Sequence, residues 1–480
     1  MMKPVIKIIA LLSIAVISIS TGCKKNTVTS KVNIPTSAIL SFALDSGQAI
    51  PSIITNSPDS ATVVVYAYPW LNLFQRMPHI TASKGATISP AAGTPVNFTT
   101  TGSYTYTVTN PAGVSQKWYV IIKVYGQNRP PSTVVYKDTS VTSFFRRTSG
   151  HIASDGGYSI PLSSGMDLWM MGDSHINDYR ASDGTMDWLF QVHNAGLLQP
   201  ANDWMWQHTE TLVGTVGSIP SYIKFTDDNT HWIWPNSGFQ VGDTLFEYSS
   251  NLITVGSGTF GFGPAGNDLL AKIHVPDMRV SGVVQLQNFN GINFGITFIK
   301  NTDGYIYTYG NKSAFIASNL YLARFPANNI YAPWTFYDGS GWNADVTKAA
   351  VIGQGQSNGV SINYVNGKFL IVSTEFSVSC NGGNRIYIST SDSPVGPFTA
   401  ARPIYRITDT VQNDYPFFYA AIIHPEYTNA QGEVLVTYAI NGYPGCLPAY
   451  NADYRSIPDW YRLRGIRIPW SVITSNYQIK

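Results

Sequence analysis

The chain has 480 residues, with 30 lysines and arginines against 28 carboxylates, for a formal net charge of +2. Charged residues make up only 12% and form no basic stripe, which argues against a nucleic-acid partner. Runs of Ala, Leu, Glu and Lys with the 3.6-residue period of a long helix are almost absent, so an all-β chain is expected.

Lys3 and Lys7 precede an apolar run from Ile8 to Ile19, and small residues then lead to Cys23. The run is short for a membrane span and reads as an export signal over residues 1–23. Ser20-Thr21-Gly22-Cys23 resembles the lipobox of bacterial lipoproteins, in which the cysteine is acylated and becomes the new N-terminus. That resemblance implies an exported outer-membrane lipoprotein, on the periplasmic face or the cell surface, with Cys23 as its membrane contact. Ordinary secretory cleavage nearby, with Cys23 incidental, is the alternative. Residues 24–36 are the polar tether. Export would put Cys380 and Cys446 in an oxidising compartment, where a disulfide between them is compatible with the count but not fixed by spacing. Three cysteines without a CxxC pair argue against structural zinc.

Over residues 37–126 short alternating runs (Ala38–Leu44, Ala61–Tyr68, His79–Ala82, Tyr104–Thr109 and Lys117–Val124) are separated by Gly, Pro, Asn and Asp, which predicts a small β-sandwich. Ile80 to Pro90, Val96-Asn97-Phe98 and Tyr104 to Thr109 resemble the immunoglobulin-like modules near the N-terminus of Bacteroidetes surface lipoproteins. The module reads as a spacer. Residues 127–134, with Pro130-Pro131, form a stiffened linker, and 135–480 is one large unit.

That unit opens with a predicted hairpin. Two alternating runs, 157–162 and 167–173, flank Ser163-Ser164-Gly165. Asp155 and Asp173 lie about equally far from the turn and so meet at its open end, with Cβ atoms about 5 Å apart if directly paired. Gly156, Gly157 and Gly172 clear side chains from around them. Two neighbouring carboxylates cannot ionise independently, which is the raw material for one general acid and one general base. Turn and strand-end residues satisfying backbone amides are the alternative reading.

Further on, Leu320 to Arg324 with Pro333-Trp334 parallels Ile386 to Thr390 with Pro397-Phe398. Recurrence of a four-stranded unit points to a β-propeller, and about 340 residues at 65 to 70 per blade give about five blades. Arg464 to Trp470 is the expected closing strand. A jelly roll is the structural alternative.

The stretch Ser154 to Ser174, with Val192-His193-Asn194, Trp232 to Pro235, Tyr305 to Gly310 and Ala421 to Glu426, resembles a bacterial propeller family known only as a domain of unknown function. That family is similar to five-bladed propeller glycoside hydrolases, and a sister group is linked to endo-acting cleavage of arabinan. The resemblance implies a five-bladed fold with acids clustered at the channel mouth, Asp155 and Asp173 among them. Ser174-His175 and Ala195 depart from the pattern, where relatives carry Thr with an aromatic and a hydroxyl residue. Glu375 ends an apolar strand and is a third candidate carboxylate. His193, Asn194, Trp204, Trp206, Glu210, Trp234, Gln356 and His424 are candidate sugar contacts, since aromatic rings and polar side chains suit a ligand with apolar faces and hydroxyl edges. For most of the tryptophans and for both histidines, core packing is the alternative. GxSxG, HExxH, Walker and dinucleotide motifs are absent. The expectation is a monomeric protein acting on a polysaccharide or oligosaccharide, either cleaving it or only binding it. No cofactor is required, with a structural calcium ion in the channel as the one allowance.

Overall fold

The computed structural model describes residues 37–479, apart from 46, 50, 58–60, 69, 70, 72, 74, 99–102, 126–130, 215–219, 227–229, 257–260, 276, 378, 381 and 443–449. Cys23 and Cys446 therefore lie outside the described residues, as do the export signal and the tether; Cys380 is disulfide-bonded. Among the described residues no helix is long and apolar enough to cross a membrane.

The N-terminal part builds a five-stranded sheet, in the order Ile53–Thr55, Ala61–Ala67, Ser115–Val124, Ser103–Thr109, Thr87–Ser89, and a two-stranded one from Ile39–Ala43 and His79–Ala82. The alternation predicted for 61–68 is literal: Ala61, Val63, Val65 and Ala67 are buried and the residues between them are not. They pack with Phe42, Tyr106, Val108, Trp118 and Ile122 in a core shared by both sheets. Trp118 is fully enclosed, and its Nε1 donates to the Ser37 carbonyl at 3.0 Å, which meets the one polar need of a buried indole.

From Tyr136 onward the sheets make a five-bladed propeller. The five innermost strands are His151–Pro161, His231–Val241, Asn293–Lys300, Val360–Val365 and Phe417–His424. Each packs against the next, and the fifth returns to the first. The repeat found in the sequence maps to equivalent places, since Ala317–Pro326 and Arg385–Ser391 are the third strands of the third and fourth blades.

Closure differs from the expectation for Arg464 to Trp470. Arg464–Ile468 is the third strand of the fifth blade, and its outermost strand is Tyr136–Lys137, from the start of the propeller. The first and last segments thus share one sheet, which removes the open edge a linear array would leave. Asp138 fastens this seam. Its Oδ1 accepts from Ser140 N and Val141 N, capping the helix Thr139–Phe144, and its Oδ2 accepts from Arg467 Nε at 2.7 Å.

A second fastening crosses the same seam. The connection after the second strand of the first blade contributes Met186–Asp187, which pairs with Arg455–Ser456 from the long connection of the fifth blade. Arg455 binds Thr185 Oγ1 at 2.8 Å, the Asp187 carboxylate, and the carbonyls of Asp178 and Thr185.

Candidate functional site

The hairpin of the first blade forms as read, with His151–Pro161 against Met166–Ile176. Its ladder runs regularly from the turn to Met170, then shifts between Met170 and Met171, between Met171 and Ser174, and again between His175 and Ile176. That irregularity brings Asp155 beside Gly172: a Cβ added at Gly172 would sit 2.3 Å from Asp155 Oδ1, so the carboxylate occupies space only glycine leaves open. Gly156 faces the Gly172 backbone with φ +74°, a conformation glycine adopts without cost.

Each carboxylate has its own partners. Asp155 Oδ2 accepts from the Tyr419 hydroxyl at 2.8 Å, and the Tyr461 hydroxyl also bonds to it. Asp173 Oδ1 accepts from His193 Nδ1 at 2.8 Å and from Trp234 Nε1 at 3.0 Å. Burial, reinforced by the charge of Asp173, pushes the Asp155 carboxyl up to about 7, although both tyrosine hydroxyls pull the other way. Asp155 therefore keeps its proton over much of the near-neutral range, while a second carboxylate stands beside it.

His193 lies flat on Trp232, with ring centroids 4.9 Å apart and planes at 16°. These two rings, with Ser221, Lys224, His231 and Asn251, line a small cleft between the first and second blades. Asp173, through its hydrogen bond to His193, is tied to one wall of this cleft.

The structure brings Asp155, Asp173, His193 and Trp234 together and leaves the other candidates apart from them. Asn194 is fully buried, its side-chain nitrogen donating to the Ile223 and Ile233 carbonyls and its oxygen accepting from Ile223 N, so it brackets two segments and presents no surface to a sugar. Trp204 and Trp206 follow the turn-side end of the strand Ala195–Pro200. Trp204 packs against Phe144, Trp169 and Tyr427, and Trp206 lies against the Arg147 guanidinium. Glu210 begins the outermost strand of the first blade, with two strands between it and the one carrying Asp155. Glu375 ends the second strand of the fourth blade and pairs with Arg385 at 3.3 Å. Gln356 precedes the fourth blade's innermost strand, its backbone N–H on Ser373 Oγ.

His424 lies toward the turn end of the hairpin, fully buried, with Nδ1 at 2.5 Å from Ser159 Oγ and Nε2 at 2.8 Å from Thr437 Oγ1. Ser159 also bonds Glu426. Burial and the nearby Arg467 drive His424 down to about 3, so it is neutral, while burial raises Glu426 to about 8. Among the described residues no group of three or more His, Cys, Asp or Glu is placed to hold a metal ion.

Sequence reasoning missed Tyr419 and Tyr461. Both belong to the fifth blade's stretch of chain, and a tyrosine in Phe417-Phe418-Tyr419 looks like any other strand aromatic until the ring closes. Glu247 was missed as well. It is fully buried in the second blade, accepting from Asn236 N and Ser249 Oγ, and burial raises it to about 8.

The raised carboxyls have a consequence for stability. Asp155, Glu247 and Glu426 hold protons in the folded state that the unfolded chain releases near pH 4, so stability falls as pH rises toward 7 to 8. Each group contributes at most about 1.4 kcal/mol per pH unit. His151 and His424, held neutral by burial, oppose this trend below the ordinary imidazole value of 6.5, but two imidazoles offset only part of three carboxyls. The melting temperature is therefore expected to climb from pH 8.5 to about 6.5 and to climb more slowly below that. Thermal denaturation in a pH series checks this; a midpoint that rises steadily toward pH 8.5 would contradict it.

Comparison with known proteins agrees with this architecture. Residues 138–470 match the family model described as a domain of unknown function (DUF5005), and residues 39–122 match one described as SGBP, N-terminal. No curated protein matches the chain. A solved structure from Bacteroides ovatus, named provisionally as a hydrolase, superposes with a TM-score of 0.57 at 17% identity, covering 74% of this chain and 96% of its own. An exo-β-1,3-galactanase from Phanerochaete chrysosporium, with β-1,3-galactotriose, gives 0.38 at 11%, covering 68% and 63%. The catalytic domain of a GH62 α-L-arabinofuranosidase from Coprinopsis cinerea gives 0.38 at 11%, covering 67% and 92%. The fold comparison rests on the first of these.

Proposed function

The chain belongs to the family described as a domain of unknown function (DUF5005), and on that footing we propose that it is a lipid-anchored glycoside hydrolase of the outer membrane, with Asp155 and Asp173 as its catalytic carboxylates. The observation that carries this reading is a carboxyl raised to about 7 by burial and by a second carboxylate on the next strand. Asp155 would give its proton to the glycosidic oxygen as the bond to the anomeric carbon breaks. Asp173 would either take a proton from the water that attacks that carbon or attack it as nucleophile, the carboxyl separation deciding between the two, and His193 and Trp234 orient it by donating to Oδ1. The His193–Trp232 stack beside Asp173 offers apolar surface for one face of a sugar ring. Cys23 would carry the lipid and the N-terminal sandwich would lift the propeller from the membrane.

A second reading, a glycan-binding lipoprotein without turnover, is favoured by a different observation. Asp155 is the one carboxylate on the five innermost strands, so a hydrolase must draw its partner acid from a second strand. The match of residues 39–122 to a module of surface glycan-binding proteins points the same way. Incubation with arabinan, arabinoxylan and β-1,3-galactan, followed by reducing-end assay and chromatography, separates the two. Released oligosaccharides support hydrolysis. Retardation in polysaccharide gels without release supports binding, and neither result with any glycan removes both readings.

A further inference from the structure

The two connections that fasten the seam also carry an aromatic surface that the acid site does not use. Trp188 follows the paired segment Met186–Asp187, and Tyr450 and Tyr454 precede its partner Arg455–Ser456. The rings are contiguous: Trp188 to Tyr450 is 5.2 Å between centroids, and Tyr450 to Tyr454 is 5.0 Å with planes at 26°. Tyr454 is 67% exposed and Tyr450 43%, so the surface faces solvent.

This surface is rigid. Trp188 N donates to the Tyr454 carbonyl at 3.0 Å, and Arg455 holds three residues of the facing connection. Asn451 folds the turn, its side-chain oxygen accepting from Asp453 N and Arg455 N and its carbonyl from Tyr454 N. Tyr454 itself sits at φ +55°, a left-handed conformation unfavourable for a bulky residue. The fold holds it there with its ring in water, so burial of that ring does not offset the strain. Strained residues of this kind cluster at ligand sites.

We propose that Trp188, Tyr450 and Tyr454 form a second sugar-stacking site, which grips the same glycan chain away from the carboxylates; this rests on the glycan reading above. Three observations commit the site to a glycan. The connection from Trp188 reaches His193 in five residues and that from Tyr454 reaches Tyr461 in seven, which caps the spans at about 18 Å and 25 Å. A chain of a few sugars could therefore touch both sites. The charged neighbours are already engaged, Arg180 with Asp183 and Asp453, and Arg455 with Asp187, so the patch offers rings and not charge. Three partly exposed rings also fall short of the roughly 800 Å² per partner that a stable protein interface needs, while they match the apolar faces of one or two sugar rings. The substrate class that follows is a chain several residues long, not a single terminal sugar.

The test uses full-length protein, Trp188→Ala and Tyr454→Gly, glycine being the residue that accepts the backbone conformation at 454. Affinity electrophoresis through arabinan, arabinoxylan and β-1,3-galactan gels gives polymer affinity, and calorimetry with the corresponding disaccharide gives the short-ligand value. The polymer-to-disaccharide affinity ratio is expected to fall about tenfold in each variant, the loss of one stacking contact, with unchanged circular dichroism. Unchanged polymer affinity in both folded variants overturns the second site and leaves the glycan reading intact. Equal losses on polymer and disaccharide place the rings in the acid site and also overturn it. No retardation of wild type by any gel removes the glycan reading and this inference together.

Discussion

Changing Asp155 or Asp173 to asparagine is expected to cut glycan turnover by roughly 10² to 10⁴ while leaving the melting temperature equal or higher. Asparagine keeps the volume, and its carbonyl oxygen can still accept from Tyr419 at position 155 or from His193 and Trp234 at 173. What disappears is the exchangeable proton in one case and the negative charge in the other. Burial first, and then the charge of Asp173, disfavour an ionised Asp155, so either substitution removes part of the cost that grows as pH rises through about 7. A structural aspartate behaves in the opposite way: its asparagine variant melts earlier and turns glycan over normally. Turnover and thermal midpoint must therefore be measured on the same samples. Lower melting with intact turnover in both variants would exclude the catalytic roles.

The second large effect concerns the seam. A fragment of residues 131–480 is expected to melt cooperatively, whereas 139–480 is expected to show no cooperative transition. The eight residues between the two starts include Tyr136–Lys137, whose pairing with Arg464–Ile468 completes the fifth blade. They also carry partners for buried charge. The Tyr136 hydroxyl donates to Glu433 Oε2 at 2.6 Å, Ser132 N donates to Oε1 at 2.9 Å, and Asp138 Oδ2 accepts from Arg467. Glu433 is fully buried and Arg467 is 5% exposed. Removing one partner of a buried ionic pair costs about 3–5 kcal/mol, a large share of the 5–15 kcal/mol that holds a typical domain together. Calorimetry on both fragments decides it. Matching transitions within a few degrees would mean that the ring stands without its N-terminal strand.

Fold class and the acid pair were legible because they depend on local pattern. A period of two, a Ser-Ser-Gly turn and equal distances to Asp155 and Asp173 need no knowledge of distant chain. The surroundings of the pair were not legible. Tyr419 reaches Asp155 across 264 residues, a relation set by ring closure and by no spacing in the sequence. Trp204 and Trp206 show the converse error. Clustered with His208 and Glu210 they look like a sugar platform, yet the preceding strand runs away from the open end of the hairpin, so its continuation lies apart from the acids. Chemistry-bearing residues in a propeller are sorted by strand direction, and composition is blind to direction. Asn194 was misread for a related reason: a polar side chain in a loop looks available until its three backbone bonds are seen.

The position of Asp155 has a bearing on when the protein can act at all. Its hydroxyl partners come from the last blade, so the environment that sets its proton affinity is unfinished until nearly the whole chain has emerged. At about 5–20 residues per second, the interval between making residue 155 and residue 419 is on the order of tens of seconds. Partial chains, prematurely terminated products and molecules cut within the last blade would all lack the finished acid. On the hydrolase reading proposed above, the acid would be complete only on a ring whose two ends have already met.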